Sequence, residues 1–166
     1  MVKIQGSKTN EMRIIVDSNI VFSAILNSQG KIGQLIINGN KYFKFYTVGL
    51  LKEEILEHKR KILSISGFSN IQFEISYQAI TRRIQFVDEI LIPDKEIEES
   101  VELVKNIDEN DALFVALTNH LRAKLWTGDK KLITGLKKKN YSKTISTNEL
   151  YELFLDKQLK DILRKK

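Results

Sequence analysis

Five acidic residues carry the chemical interest of this chain. Asp17 closes the apolar run of "IIVDSN", and Glu54 lies in "KEEILEHK". Asp108 and Asp111 belong to "DENDALF", and Asp129 follows Gly128 in "LWTGDKKL". Several carboxylates in one cleft repel one another and raise each other's pKa, and a divalent cation removes that cost by supplying the opposite charge. The chain has no cysteine and only two histidines, neither in a zinc-ligand spacing. An oxygen-only donor set favours a hard ion, Mg²⁺ or Mn²⁺, over Zn²⁺. His58, one turn after Glu54, reads as a surface helix residue and His120 as structural.

Taken singly, each acid also has an ordinary role. Asp17 between a strand and a helix makes a good N-cap. Glu54 sits among the alternating charges of a solvated helix face. Asp108 and Asp111 suit the first turn of a helix, and Asp129 suits a turn or cap. Those roles do not account for the company the acids keep, which depends on the elements that carry them.

A β-branched run, "RIIV", ends at Asp17, and "NIVFSAIL" continues as a helix stopped near Gly30. "KIGQLIING" reads as a second short helix and "YFKFYTV" as a second strand. "LLKEEILEHKRKIL" (50–63) reads as one helix with Leu51, Ile55 and Ile62 inward. Residues 64–92 are less periodic: a helix around "SYQAITRRI" and an apolar stretch, "FVDEILIP", stopped by Pro93. "DKEIEESVELVKNI" (94–107) spaces Ile97, Val101, Val104 and Ile107 as an inward helical stripe. Another helix opens behind "DEND", followed by a buried strand, "KLW", a helix "KKLITGLKKK" and an edge strand in "KTIS". Ser146 and Glu149 form a capping box for a long C-terminal helix.

Strands alternating with helices predict a three-layer α/β/α sandwich around a mostly parallel sheet. In such sheets ligands sit beyond the carboxyl ends of the strands, where Asp17 and Asp129 both fall. The expectation is therefore convergence of the acids.

Bulk properties narrow the classes further. The chain of 166 residues is 42% hydrophobic, enough for a core without disulfide staples. No apolar stretch approaches a membrane span, and the polar start "MVKIQGSKTNEM" lacks a signal-peptide core, so a cytoplasmic protein is expected. The formal charge is +6, and it is unevenly placed. Residues 137–166 hold nine Lys/Arg against four Asp/Glu, while residues 88–111 hold ten acids against two lysines. A basic tail beside an acidic cleft suits a metal-dependent enzyme acting on nucleic acid, and each block also suits a solvated surface.

The succession "IIVDSN", an acid in the helix after strand two, "DENDALFVALT" and "LWTGDKKL" resembles the PIN-domain nuclease family over most of residues 12–155. The resemblance implies a PIN-like domain over 12–155; it is silent on residues 1–11, whose lack of periodicity reads as a poorly ordered extension, and on the basic end of the C-terminal helix over 156–166. It implies Asp17, Glu54, Asp111 and Asp129 as catalytic metal ligands, Asp108 as an auxiliary acid, and Asn19 and Thr127 as residues that orient them. It implies Mg²⁺ or Mn²⁺ as cofactor, RNA as substrate, and, as in many relatives, a toxin role with an antitoxin partner and a homodimer. Lys130, Lys131, Lys137, Lys138 and Lys139 would then guide the phosphate backbone, although cations also suit a helix C-terminus.

Other classes compete. A HAD-like phosphatase needs a second acid two residues after its nucleophile, where this chain has Asn19. A receiver domain would not follow its acidic pair with a "TGD" turn. A PIN-like module that docks RNA or a partner without cutting has the same residues to work with.

Overall fold

A computed structural model describes residues 11–165. The N-terminal extension expected over 1–11 lies outside the described residues except for Glu11.

Five short strands, β1 (Met12–Val16), β2 (Phe43–Val48), β3 (Ile84–Val87), β4 (Lys124–Trp126) and β5 (Thr144–Ile145), form one sheet in the order β3-β2-β1-β4-β5. Every pairing is parallel. The three-layer α/β/α reading therefore holds. Central strands buried on both sides must be apolar throughout, and Ile14, Ile15 and Val16 are completely buried. The chain starts at the centre, winds outward through β2 and β3, then returns to the other side of β1 through β4 and β5. The winding reverses between β1 and β4, which opens a crevice at their carboxyl ends.

One face of the sheet is covered by α1 (Ser18–Leu26), α2 (Lys31–Gly39), α5 (Asn70–Thr81) and α9 (Thr147–Arg164). The other is covered by α7 (Ala112–His120), flanked by α6 (Asp94–Val104) and α8 (Lys130–Lys138). Trp126 is the largest fully buried side chain. Its ring centroid lies 6.0 Å from that of Phe45 across the intervening β1, and its Nε1 donates to Thr147 Oγ1 at 3.0 Å. Trp126 thus ties β4 to the start of α9, which runs without interruption across position 155.

Three segments differ from their sequence patterns. The helix expected over 50–63 is two, α3 (Leu50–Glu57) and α4 (Lys59–Ser66). His58 leaves helical geometry between them, and its Nδ1 lies 2.8 Å from the Glu54 carbonyl oxygen, a side-chain bond that competes with the helical ladder. The helix expected around 76–84 begins earlier, at Asn70, behind a capping box of Ser69 and Gln72. It ends at Thr81 because Ile84 pairs with Phe45 as β3. Finally, α6 stops at Val104, so Ile107 lies beyond it, and Val101 is 46% exposed rather than inward. Val104 is fully buried as expected, Ile97 and Ile107 pack against the core, and Ser100 takes the inward place of Val101.

Candidate active site

Asp17 ends β1 and caps α1, in extended conformation, and is only 2% exposed. Its backbone N–H continues the β1–β4 ladder by donating to Trp126 O at 3.1 Å. Oδ1 accepts from Ser18 N at 2.7 Å and from Ser18 Oγ at 3.4 Å. Oδ2 accepts from Thr127 Oγ1 at 2.6 Å. Burial pushes the Asp17 carboxyl up from its ordinary value; the Thr127 and Ser18 bonds pull it down, and the Asp129 charge raises it further.

Asp129 caps α8, with Oδ1 accepting from Lys131 N at 2.9 Å and Leu132 N at 3.1 Å. Asp17 and Asp129 are thus both true helix caps, and both still lie across the crevice from each other. Thr127 joins them: its hydroxyl donates to Asp17 and accepts from Asp129 N at 3.1 Å. It is completely buried.

Asp111 closes a 3-10 turn (Glu109–Asp111) and begins α7, while Asp108 caps that turn through Asn110 N at 3.0 Å. Burial, and then the charges of Asp17, Asp108 and Asp129, raise the Asp111 carboxyl to about 7. Its Oδ2 is buried and has no hydrogen-bond partner among the described residues. Buried polar atoms are ordinarily satisfied, so this oxygen needs either a proton or a cation. The charges of three other acids therefore bear on Asp111, and that of Asp129 bears on Asp17 as well.

Glu54 stands a little apart. It lines a groove of about 660 Å³ with Glu57, His58, Glu109, Asn110 and Ala112, the last two flanking Asp111. Among the described residues no three Asp, Glu or His side chains are close enough, as they stand, to hold one ion between them. Asn19 is exposed in the first turn of α1.

The lysines divide. Lys130, Lys131, Lys138 and Lys139 line a groove of about 560 Å³ on α8 together with Lys105. Lys139 has a structural bond there: its Nζ donates to Leu103 O at 2.7 Å and Lys105 O at 3.0 Å, capping the end of α6. Lys137 is exposed on the last turn of α8.

Three positioning residues lie outside the set of acids read from the motifs. Ser18 bonds the Asp17 carboxylate directly. Thr47, fully buried near the end of β2, donates to Val16 O at 2.7 Å and fixes the peptide before Asp17. Glu89 accepts from Leu50 N at 2.6 Å and supplies the N-terminal cap that Gly49 cannot give α3. The available signals are a hydroxyl inside a buried strand, in "FYTV", and an acid after the third strand.

An all-parallel α/β/α sandwich with acids at the carboxyl ends of β1 and β4, and others at the start of a helix beside them, gathers carboxylates where such sheets bind their ligands. The PIN domain profile matches residues 15–152, and the chain belongs to the PIN domain family. Members of that family are generally nucleases and typically bind divalent metals. No curated protein matches the chain. No single helix among the described residues is long and apolar enough to cross a membrane.

Proposed function

We propose that the chain is a metal-dependent endoribonuclease whose centre is Asp17, Asp111 and Asp129, with Asp108 and Glu54 at its margin. The observation that carries this reading is the buried, unpartnered Oδ2 of Asp111 within the field of three other acids. A hard divalent ion fits that donor set. Because the side chains are not drawn to one point, the fit is to an ion that keeps several of its waters, as Mg²⁺ does.

Asp17, Asp111 and Asp129 would hold the ion directly or through water, and Glu54 through the groove it shares with the neighbours of Asp111. When bound, a divalent ion supplies an activated water and stabilises charge developing on phosphate. The protein's own residues prepare for it. Thr127 holds Asp17 Oδ2 in place and favours its ionised form. Ser18 does the same at Oδ1. Burial and the neighbouring acids raise the Asp111 carboxyl to about 7 in the metal-free protein, and a bound cation would favour its ionised form. Lys130 and Lys131, in the two positions after Asp129, would receive a phosphate backbone, with Lys137 further along α8 and Asn19 in the first turn of α1 as the remaining polar groups of this reading.

A second reading has its own support. Acids that do not close on one point also suit a PIN domain that binds RNA or a protein partner without cutting. A toxin role, with an antitoxin, a homodimer and a cytoplasmic setting, extends the endoribonuclease reading and rests on family resemblance.

The deciding experiment is cleavage of end-labelled RNAs and single-stranded DNA with Mg²⁺, Mn²⁺ or EDTA, comparing wild type with Asp17→Asn and Asp129→Asn. Cleavage that requires metal and both acids is expected. Salt-sensitive RNA binding with no cleavage in any metal transfers the protein to the binding reading.

A further inference from the structure

Four positions among the described residues have positive φ, and three of them obey the steric preference for Gly or Asn: Gly67 at 70°, Asn106 at 68° and Asn140 at 60°. The fourth is Arg122, at 51°. It ends α7 in a Schellman-type turn, with Arg122 N donating to Asn119 O at 3.2 Å and Ala123 N to Thr118 O at 2.9 Å. Glycine is the usual occupant of such a turn, as Gly67 is at the end of α4. Here an arginine occupies a backbone conformation that favours glycine, a local strain of the kind found at functional positions.

Arg122 lines a cleft of about 570 Å³ with Arg13, Lys44 and Lys124 at the amino ends of the strands. Lys44 also lines a second cleft, of about 470 Å³, with Arg83. The register explains the placement. Arg13 pairs with Lys44, Phe45 with Ile84 next to Arg83, and Leu125 with Thr144 next to Lys143. Each of the five strands carries a cation in its first two residues or just before them: Arg83, Lys44 and Arg13 stand at one register, while Lys124 pairs with Ile14 and, with Lys143, stands one residue further along on the opposite side of the pleat, so the cations rim the amino end of the sheet on both faces. Like charges on neighbouring strands repel. Among the described residues the only acid lining either cleft is Glu11, 3.8 Å from Lys44.

We infer that this amino-end face is a second nucleic-acid surface, binding the sugar-phosphate backbone of RNA at a place remote from the acids. The strands separate the two regions by on the order of 15 Å, so a chain gripped here is a different segment from the one at Asp17. Arginine forks suit phosphate oxygens. An anionic membrane is the weaker fit, because no exposed large apolar side chain lines either cleft to enter a bilayer. The choice of RNA as the polyanion rests on the nuclease reading above, whereas the cationic rim does not.

Arg122→Gly is the sharpest test because it relaxes the backbone while deleting the charge. Its thermal midpoint is expected to match or exceed that of wild type. Its affinity for a long mixed-sequence RNA, measured by anisotropy in EDTA, is expected to fall about five- to tenfold near 0.1 M salt, with a salt slope shallower by about 0.7–0.9. Lys124→Gln should weaken binding similarly. Wild-type affinity in both variants overturns the inference, as does unchanged RNA binding with lost binding to phosphatidylserine-containing vesicles. Asp111→Asn separates the two readings: it should lose cleavage and keep RNA affinity. If wild type cuts nothing while Arg122→Gly still weakens RNA binding, the nuclease reading fails and this one stands.

Discussion

Thr127 Oγ1 donates to Asp17 Oδ2 at 2.6 Å, joining the carboxyl end of β4 to that of β1 across the point where the winding of the sheet reverses. Both side chains are buried, so the bond positions the acid and also lowers the pKa that burial has raised. Thr127→Val leaves a buried carboxylate oxygen unpaired, at a cost of about 1–3 kcal/mol. It also removes a contribution that favours ionised Asp17. The acid limb of the RNA-cleavage pH profile should therefore move to higher pH, and Thr127→Ser should restore it. A profile that keeps its acid limb in Thr127→Val would show that the hydroxyl serves packing alone.

The linkage of Asp111 runs the other way from that of an ordinary salt-bridged carboxylate. Its folded-state pKa is about 7 against an ordinary value of 3.8, so between these limits the folded protein binds a proton that the unfolded chain has released. Stability of the metal-free protein should fall as pH rises from about 4 to about 7. Asp111→Asn should flatten that dependence and raise the midpoint at pH 8, since it removes a repelled charge. It should also abolish the stabilisation that Mn²⁺ gives wild type in a thermal melt. A melt in EDTA across pH, with and without Mn²⁺, reads all three.

The ends of β1 and β4 are legible in the sequence because a short apolar run that stops abruptly at an acid marks a buried strand leaving the sheet. Asp17, Asp111 and Asp129 follow from that pattern together with the helix start after "DEND". Glu54 is legible only as a helix acid, since nothing in "KEEILEHK" announces that His58 breaks the helix just beyond it. The start of α5 is signalled by the "SNIQ" capping box, yet the polar stretch before it hides the helix. Thr47 and Glu89 act through bonds to backbone groups 31 and 39 residues away. Such partners follow from strand order, and local periodicity carries no information about them. Lys139 is a similar case, a cation in a basic run whose bonds belong to a helix elsewhere.

Glu89 reaches from the turn after β3 to the first N–H of α3, and α3 carries Glu54 one turn further on. Replacing Glu89 with Ala removes a cap, costing about 1 kcal/mol. The effect should fall on turnover rather than on RNA affinity, because Glu54 is displaced while the basic surfaces are untouched. Glu89→Gln, which can still accept the bond, should recover most of the rate. Equal losses in kcat and in RNA affinity would mean that the change spreads beyond α3.

The lysines of α8 have two separable jobs. Lys139 bonds two carbonyl oxygens at the end of α6, whereas Lys130 and Lys131 are exposed in the first turn after Asp129. Lys139→Ala should therefore lower stability, by about 1 kcal/mol, and change the salt slope of RNA binding little. Lys130→Ala and Lys131→Ala should leave the melt unchanged, and each should make the salt slope shallower by about 0.7–0.9 for the phosphate it no longer neutralises. Melts and salt titrations on the same three variants decide the assignment. If Lys139→Ala alone abolished the steep salt sensitivity, the phosphate would sit at the α6 end of the groove and away from Asp129.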